Sequence, residues 1–268
     1  MTETVTAAHL ALADALADAA RAVISGYFRQ KLAVDDKSDQ TPVTIADREA
    51  EAAMRRLIEA RFPEHGIHGE EQGRVRGDAE YVWVLDPIDG TKSFISGIPL
   101  FGTLIALTHR GQPVLGVIDQ PILRERWLGA TGRATTLNGA PVRCRPCPSL
   151  AAATLYSTAP DTMFEGAAAE GYARLRRAVK LARTGADCYA YAQLASGFIG
   201  LVVEAQLKPY DYCALVPVIE GAGGVITDWQ GRGLDLGADG RVVACGDPGL
   251  ATAARAMLAG SASIPRNG

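Results

Sequence analysis

Apolar residues recur with a helical period at the start of the chain. Between Leu10 and Ile24 they appear at three- and four-residue spacing, which predicts a helix over residues 7–28. A polar stretch then interrupts the pattern, and Thr44 precedes a second helical run as a candidate N-cap, with Asp47 in the first turn. The chain therefore begins with two predicted amphipathic helices.

Short apolar segments follow. YVWVLD, residues 81–86, predicts a buried strand, and the polar, glycine-bearing segment before it, HGIHGEEQGRVRGDAE, predicts a loop. Three more apolar segments (FGTLIALTH, VLGVIDQ and RERWLGA) are separated by turn residues and predict an antiparallel meander. The first half of the chain thus favours an α+β arrangement.

Helical and strand-like segments alternate after a proline-rich loop near residues 143–150, which favours an α/β arrangement for the second half. We divide the chain into an N-terminal α+β half, residues 1–145, with Glu70, Asp86 and Asp89. The C-terminal α/β half, residues 146–268, carries Glu204 and Asp211. Both halves are expected to act as one functional unit.

Composition narrows the classes of protein. The chain has 268 residues, 48% of them hydrophobic, a net charge of −3 and no basic tract, so nothing indicates a nucleic-acid partner or a membrane surface. The absence of a signal pattern and of a bilayer-length apolar run predicts a cytoplasmic protein. The odd count of five cysteines argues against a disulfide framework. Cys144 and Cys147 are predicted to be thiols of a surface loop.

The stretch DPIDG carries the main candidate chemistry. Asp86 ends an apolar strand, Asp89 follows three residues later, and Gly90 permits a sharp turn, so both carboxylates are expected to leave the sheet edge in one direction. Two such groups repel each other unless a cation lies between them. Oxygen-only ligands favour Mg²⁺ first and Mn²⁺ second. The alternative is an ordinary β-turn.

Further acidic residues strengthen the prediction of a cation site. Glu70 and Glu71 lie in the preceding loop, and Asp211 opens an apolar helix, where its alternative role is that of an N-cap. Residues from Thr91 onward can open a short helix whose N–H groups would receive an anion. Carboxylates beside an N–H pocket are suited to a phosphate ester held by metal ions.

These residues together are similar to those of a known enzyme family. WVLDPIDGTKSF, the Glu70-Glu71 pair and Asp211 before a GAGG run resemble the inositol monophosphatase superfamily of Mg²⁺-dependent phosphatases. The resemblance implies a layered αβαβα sandwich of the inositol monophosphatase and fructose-1,6-bisphosphatase type. It also implies a homodimer and hydrolysis by water that two or three metal ions activate.

The resemblance also implies roles for individual residues. Metal ligands would be Glu70, Asp86, the carbonyl of Ile88, Asp89 and Asp211, with Glu71 as a possible neighbour of the ligands. Asp47 and Thr91 would orient and deprotonate the attacking water. The backbone of Gly90 and Thr91 would receive phosphate oxygens. Taken alone, Asp47 is a helix first-turn residue and Thr91 a turn or cap hydroxyl.

Specificity is expected to come from Arg183, Asp187 and Glu204, each of which is otherwise an ordinary surface charge. Tyr210 stands where inositol phosphatases have tryptophan, and ISGIPLFGTLIAL is more similar to the histidinol-phosphate phosphatase branch, which serves histidine biosynthesis. Carboxylates suit the cationic amine of that substrate, which supports the branch. Inositol-1-phosphatase, fructose-1,6-bisphosphatase, nucleotide 3′-phosphatase and a non-catalytic transcription accessory factor stay open as alternatives.

Two further expectations concern the surroundings of the site. His65 and His68 lie near Glu70 in the sequence and are expected in solvent. The polar segment 30–44 has a composition that allows it to act as a lid.

Overall fold

The computed structural model describes residues 4–31, 35–36 and 42–260. The helices are α1 Ala7–Tyr27, α2 Ile45–Arg61, α3 Thr91–Ile95, α4 Pro160–Met163, α5 Gly166–Ala178, α6 Asp187–Ala195, α7 Pro209–Tyr212, α8 Leu215–Gly221 and α9 Pro248–Ala259. The strands are β1 Asp35–Asp36, β2 Pro42–Val43, β3 Gly66–Gly69, β4 Gly73–Val75, β5 Tyr81–Asp89, β6 Gly102–His109, β7 Gln112–Gln120, β8 Glu125–Ala130, β9 Thr136–Leu137, β10 Ala140–Pro141, β11 Thr154–Ser157, β12 Leu181–Thr184, β13 Leu201–Glu204, β14 Val225–Thr227 and β15 Val242–Cys245. Most of the predicted lid segment lies outside the described residues.

Two large sheets organise the described chain, and β1 and β2 pair separately as a two-stranded sheet. The larger has eight strands in the order β10-β9-β8-β7-β6-β5-β3-β4; β6 to β8 form the predicted antiparallel meander, and β5 adds to it by antiparallel pairing with β6. The smaller has five strands in the order β12-β11-β13-β15-β14, with β11 parallel to both of its neighbours. The two sheets therefore draw on the first and second parts of the sequence respectively.

Apolar side chains alternate between the two faces of each sheet, so each sheet carries two cores. On β5, Trp83 packs under α1 and α2, whereas Val82 faces the central helices α6 and α8. On β13, Val202 faces those same central helices, whereas Val203 packs under α5 and α9. The predicted αβαβα sandwich is confirmed.

Glycines bring the central helix α8 close to the large sheet. A Cβ atom at Gly116 would lie 2.0 Å from the carbonyl oxygen of Ala214, and one at Gly129 would lie 2.3 Å from that of Pro217. Only glycine permits this approach of backbone to backbone. The contact fixes the segment just after Asp211 against β7 and β8, and so places Asp211 beside the end of β5.

The segment 65–80 is not the solvated loop predicted from its polarity. Its β3 pairs in parallel with β5, and β3 and β4 form a hairpin. His65 is 5% exposed and accepts a hydrogen bond at Nδ1 from Nε1 of Trp83, at 3.1 Å. His68 is 8% exposed, and burial lowers its pKa to about 4. The prediction of solvated histidines was wrong because pairing of β3 with β5 covers His68, and the rings of Phe62 and Tyr81 stack on His65.

The cysteine prediction was also wrong in part. All five cysteines are free thiols, but Cys147 is buried, with its N–H donated to a carboxylate oxygen of Asp247 at 2.8 Å. No helix within the described ranges is both long enough and apolar enough to cross a bilayer.

Candidate metal centre

The end of β5 delivers two carboxylates to one edge of the large sheet. The strand runs through Asp89, and its pairing with β6 shifts register between Asp86 and Asp89. Gly90 follows with φ +94°, in the left-handed region, and opens α3. The left-handed backbone favours glycine at this turn, and a Cβ atom at Gly90 would also lie tightly against the carboxylate of Asp187, at 3.0 Å.

Asp211 reaches the same place from the second sheet. It is the third residue of α7, and its Oδ2 accepts the N–H of Lys208 at 2.6 Å. The N-cap is Lys208 and not Asp211, as the alternative role had it. The hydrogen bond to the cap is compatible with a ligand role, because a carboxylate has two oxygens and several lone pairs.

Three aspartates converge. One carboxylate oxygen from each of Asp86, Asp89 and Asp211 lies within 4.8 Å of the other two. They line a cavity of about 180 Å³ together with Glu70 and the Ile88 backbone region. The structure thus brings all the sequence-predicted metal ligands to one cavity.

The electrostatics of the cluster call for a cation. Burial, and then the neighbouring carboxylates, raise the pKa of Asp86 and of Asp89 well above the ordinary value. Burial raises the pKa of Asp211 to about 7. Oδ1 of Asp86 is buried with no hydrogen-bond partner, which is the state expected of an oxygen that ligates an ion.

The donor set fits a hard divalent ion. Every acidic ligand candidate offers oxygen, and among the described residues that line this cavity and its neighbour, Lys92 is the only cationic one. One lysine does not balance the clustered carboxylates. Oxygen-only ligation fits Mg²⁺ or Mn²⁺ better than softer metals.

Asp47 and Thr91 lie near the cluster but not in a mutual hydrogen bond. Oδ2 of Asp47 accepts the N–H and the hydroxyl of Thr44, at 2.8 and 2.6 Å, while its buried Oδ1 has no partner in the described part of the chain. The hydroxyl of Thr91 donates to the carbonyl of Ile88 at 3.1 Å. Burial raises the pKa of Asp47, and the negative charge of Glu70 adds to that shift.

A second cavity, of about 140 Å³, continues from the first, since Asp89, Thr158 and Asp211 line both. At its far side Glu204 is 3% exposed, contrary to its alternative role as a surface charge. The Glu204 carboxylate accepts the N–H of Thr158 at 2.9 Å, the Thr158 hydroxyl, and the Tyr191 hydroxyl at 2.9 Å. Burial nevertheless raises the pKa of Glu204 to about 7.

Asp187 lines both cavities, and Arg183 lines neither. Asp187 has φ +45°, accepts the hydroxyl of Ser93 at 3.3 Å, and has its pKa raised to about 6 by burial. Positive φ in a residue other than glycine often marks a functional position. Arg183 is exposed on the edge strand β12.

Sequence reasoning missed Thr158, Tyr191 and Ser93. Thr158 reaches Glu204 because β11 and β13 are parallel neighbours, although 46 positions separate the two residues. No local pattern signals such a contact. Ser93 was visible in the DGTKS run, but its partner Asp187 is 94 positions away.

The raised pKa values predict how metal binding depends on pH. In the metal-free protein these carboxylates hold protons in the folded state that the unfolded chain releases above its ordinary pKa of about 4. Their contribution to stability is therefore full below that pH and is lost as pH rises through about 7, the pKa of Asp211 and Glu204. The lowered pKa of His68 acts in the opposite sense over part of the same range.

Since protons compete with the ion for the carboxylates, Mg²⁺ is expected to raise Tm more at pH 8 than at pH 5. Calorimetry with and without Mg²⁺ at each pH isolates this difference, because the histidines contribute to both members of each pair. Equal increments at the two pH values would contradict the prediction.

Comparisons with known proteins agree with the site. The model of the inositol monophosphatase family matches residues 4–261. A solved inositol monophosphatase from Zymomonas mobilis superposes with a TM-score of 0.86 and 46% identity, covering 93% of this chain and 96% of that one.

Two curated relatives are also similar. The chain is 58% identical over 224 residues to the chloroplastic bifunctional phosphatase IMPL2 of Arabidopsis thaliana, a match covering 83% of this chain but only 64% of the plant protein. It is 38% identical over 236 residues to a histidinol-phosphatase of Chlorobaculum parvum, covering 88% of this chain and 91% of that protein. The chain belongs to the inositol monophosphatase family of metal-dependent phosphatases.

Proposed function

We propose that the protein hydrolyses L-histidinol phosphate to L-histidinol and phosphate in a Mg²⁺-dependent reaction that serves histidine biosynthesis. The observation that carries this proposal is the acidic lining of the second cavity. Glu204 and Asp187 add two carboxylates beyond the aspartate cluster, where a substrate's organic group would lie. A primary amine, cationic at neutral pH, would form charge-assisted pairs with that lining, whereas neutral inositol hydroxyls would form only ordinary hydrogen bonds.

Mg²⁺ is the proposed ion, with Mn²⁺ as a substitute. Its proposed ligands are Glu70, Asp86, the Ile88 carbonyl, Asp89 and Asp211. When bound, such ions neutralise phosphate charge and acidify water. The protein's own residues then do the positioning. Asp47 and Thr91 are proposed to orient the attacking water and to accept its proton. The N–H groups of Gly90 and Thr91 are proposed to donate to phosphate oxygens.

The second half of the proposal concerns substrate orientation. Thr158 and Tyr191 fix the Glu204 carboxylate by three hydrogen bonds, so an ammonium group entering the cavity meets a rigid acceptor. Asp187, which accepts a hydrogen bond from Ser93, lines the same cavity. Arg183 lies outside the lining of both cavities, and its contact with the substrate stays a prediction. The expected homodimer and the cytoplasmic location stay predictions from the sequence.

A substrate panel tests the proposal. With saturating Mg²⁺, kcat/KM for L-histidinol phosphate is expected to exceed that for inositol-1-phosphate by at least about a hundredfold, because a buried charge pair discriminates strongly against neutral analogues. Fructose-1,6-bisphosphate and a nucleotide 3′-phosphate complete the panel. Equal rates on the first two substrates, or a preference for inositol-1-phosphate, would reject the histidinol assignment.

Similarity to the solved inositol monophosphatase from Zymomonas mobilis favours an inositol monophosphate as the second candidate substrate. The non-catalytic alternative is disfavoured because the complete set of candidate ligands lines one cavity. A panel without any Mg²⁺-dependent phosphate release would reverse that judgement.

A further inference from the structure

Glu51 and Arg55 form a buried ion pair beside the turn at residues 70–72, which joins β3 to β4. On α2, Nε of Arg55 donates to Oε1 of Glu51 at 2.7 Å, and the two residues are 7% and 0% exposed. Burying two charges costs free energy that an apolar pair of similar volume would not. Their presence at this position therefore needs a reason beyond packing.

The ion pair forms one hydrogen bond with the backbone of each of three consecutive residues. Oε2 of Glu51 accepts the N–H of Glu71 at 2.7 Å, and Oε1 accepts that of Gln72 at 3.0 Å. Nη2 of Arg55 donates to the carbonyl of Gly73 at 2.5 Å. The three residues after Glu70 are thus each held by this pair.

Glu70 is fixed on its other side by β5. Its N–H donates to the carbonyl of Leu85 at 3.1 Å, one residue before Asp86. The Glu70 backbone therefore lies between the strand that ends in the aspartates and the Glu51–Arg55 pair. Charge-assisted hydrogen bonds of this kind are stronger and more directional than neutral ones.

Gly69 shows how closely the pair fits the turn. A Cβ atom there would lie 2.1 Å from Oε1 of Glu51 and 2.7 Å from Nη2 of Arg55. An alanine at position 69 would displace the pair without changing any candidate ligand. The chain thus offers an independent way to disturb the same contact.

We propose that Glu51 and Arg55 are positioning residues that hold the Glu70 turn in register with Asp86 and so set the affinity for the divalent ion. The proposal rests on the role of Glu70 as a metal ligand in the proposed function. Asp47 lies one helical turn before Glu51 on the same buried face of α2. One helix would then place a catalytic carboxylate directly and a metal ligand through the turn.

The test is Glu51→Gln. The variant keeps the shape but loses the charge, and its NH₂ group must face either Arg55 or the N–H of Glu71. Since loss of a residue that orients a ligand typically weakens metal binding about 10- to 100-fold, the Kd for Mn²⁺, measured by electron paramagnetic resonance on the purified enzyme, is expected to rise by at least about 10-fold. Phosphate release should recover towards the original kcat at high Mg²⁺. Glu59→Gln, exposed on the same helix, is the matched control and should bind Mn²⁺ as the original chain does.

Gly69→Ala and Arg55→Lys are the second and third variants, and they decide the matter if Glu51→Gln does not fold. Folded variants with lowered Tm but unchanged Mn²⁺ affinity would show a purely structural pair and overturn the proposal. Glu70→Gln separates the two levels of inference. If it lost no Mn²⁺ affinity, the ligand assignment in the proposed function would fail; if it lost affinity while the other variants did not, only the positioning role would fail.

Discussion

Asp89→Asn is expected to lower kcat/KM for phosphate release by more than about a thousandfold, since loss of a metal ligand removes the charge stabilisation on which the reaction depends. Asp89 is one of the three carboxylates whose oxygens lie within 4.8 Å of each other. In the original chain the N–H of Cys188 donates to Oδ2 of Asp89 at 2.6 Å. The fold should persist, because an asparagine carbonyl can accept the same hydrogen bond. Removing one buried negative charge from the cluster should even raise the Tm of the metal-free protein.

The measurement is initial rate against Mg²⁺ concentration, with circular dichroism and Tm as the test of folding. Asp78→Asn, an exposed aspartate before β5, provides the control and should keep the original rate. A folded Asp89→Asn enzyme that turned over substrate like the original would refute the metal assignment.

Glu204→Gln is expected to lower kcat/KM for L-histidinol phosphate by about a hundredfold, because removing one charge of a desolvated ion pair costs about 2–5 kcal/mol. The loss on inositol-1-phosphate should be much smaller, since the glutamine NH₂ group still has a second hydrogen to donate to a substrate hydroxyl. The fold is expected to tolerate the change, as the amide oxygen can keep both bonds from Thr158 while the NH₂ group donates to Tyr191.

The readout is the ratio of kcat/KM for the two substrates, which general destabilisation would not alter. Glu165→Gln, exposed at the start of α5, serves as the control. Equal losses on both substrates would assign Glu204 to the fold rather than to recognition of the amine.

The Asp86–Asp89 pair could be predicted from the sequence because its features are local, whereas the ligand role of Asp211 came from the family resemblance. Asp86, Asp89 and Gly90 lie within five residues, and the strand before them and the left-handed turn after them follow from apolar and glycine patterns. The meander and the first two helices were predictable for the same reason.

The substrate cavity was predicted less well because it depends on contacts distant in sequence. Thr158 meets Glu204 through parallel pairing of β11 with β13, and the solvated histidine expected at position 68 is buried by pairing of β3 with β5. The polarity of a segment does not reveal which strand will cover it. The Asp47–Thr91 pair likewise came from resemblance, and the two side chains instead have Thr44 and Ile88 as their partners.

The aspartates of the cluster come from opposite sides of the sandwich, two from the end of β5 and one from α7 beyond β13. An ion held by all three crosslinks the two sheets. At a free ion concentration [L], its binding adds RT ln(1 + [L]/Kd) to the free energy of unfolding. Starvation for divalent cations would then do more than slow turnover: enzyme without its ions would open more often, be cut by cellular proteases, and decline in abundance.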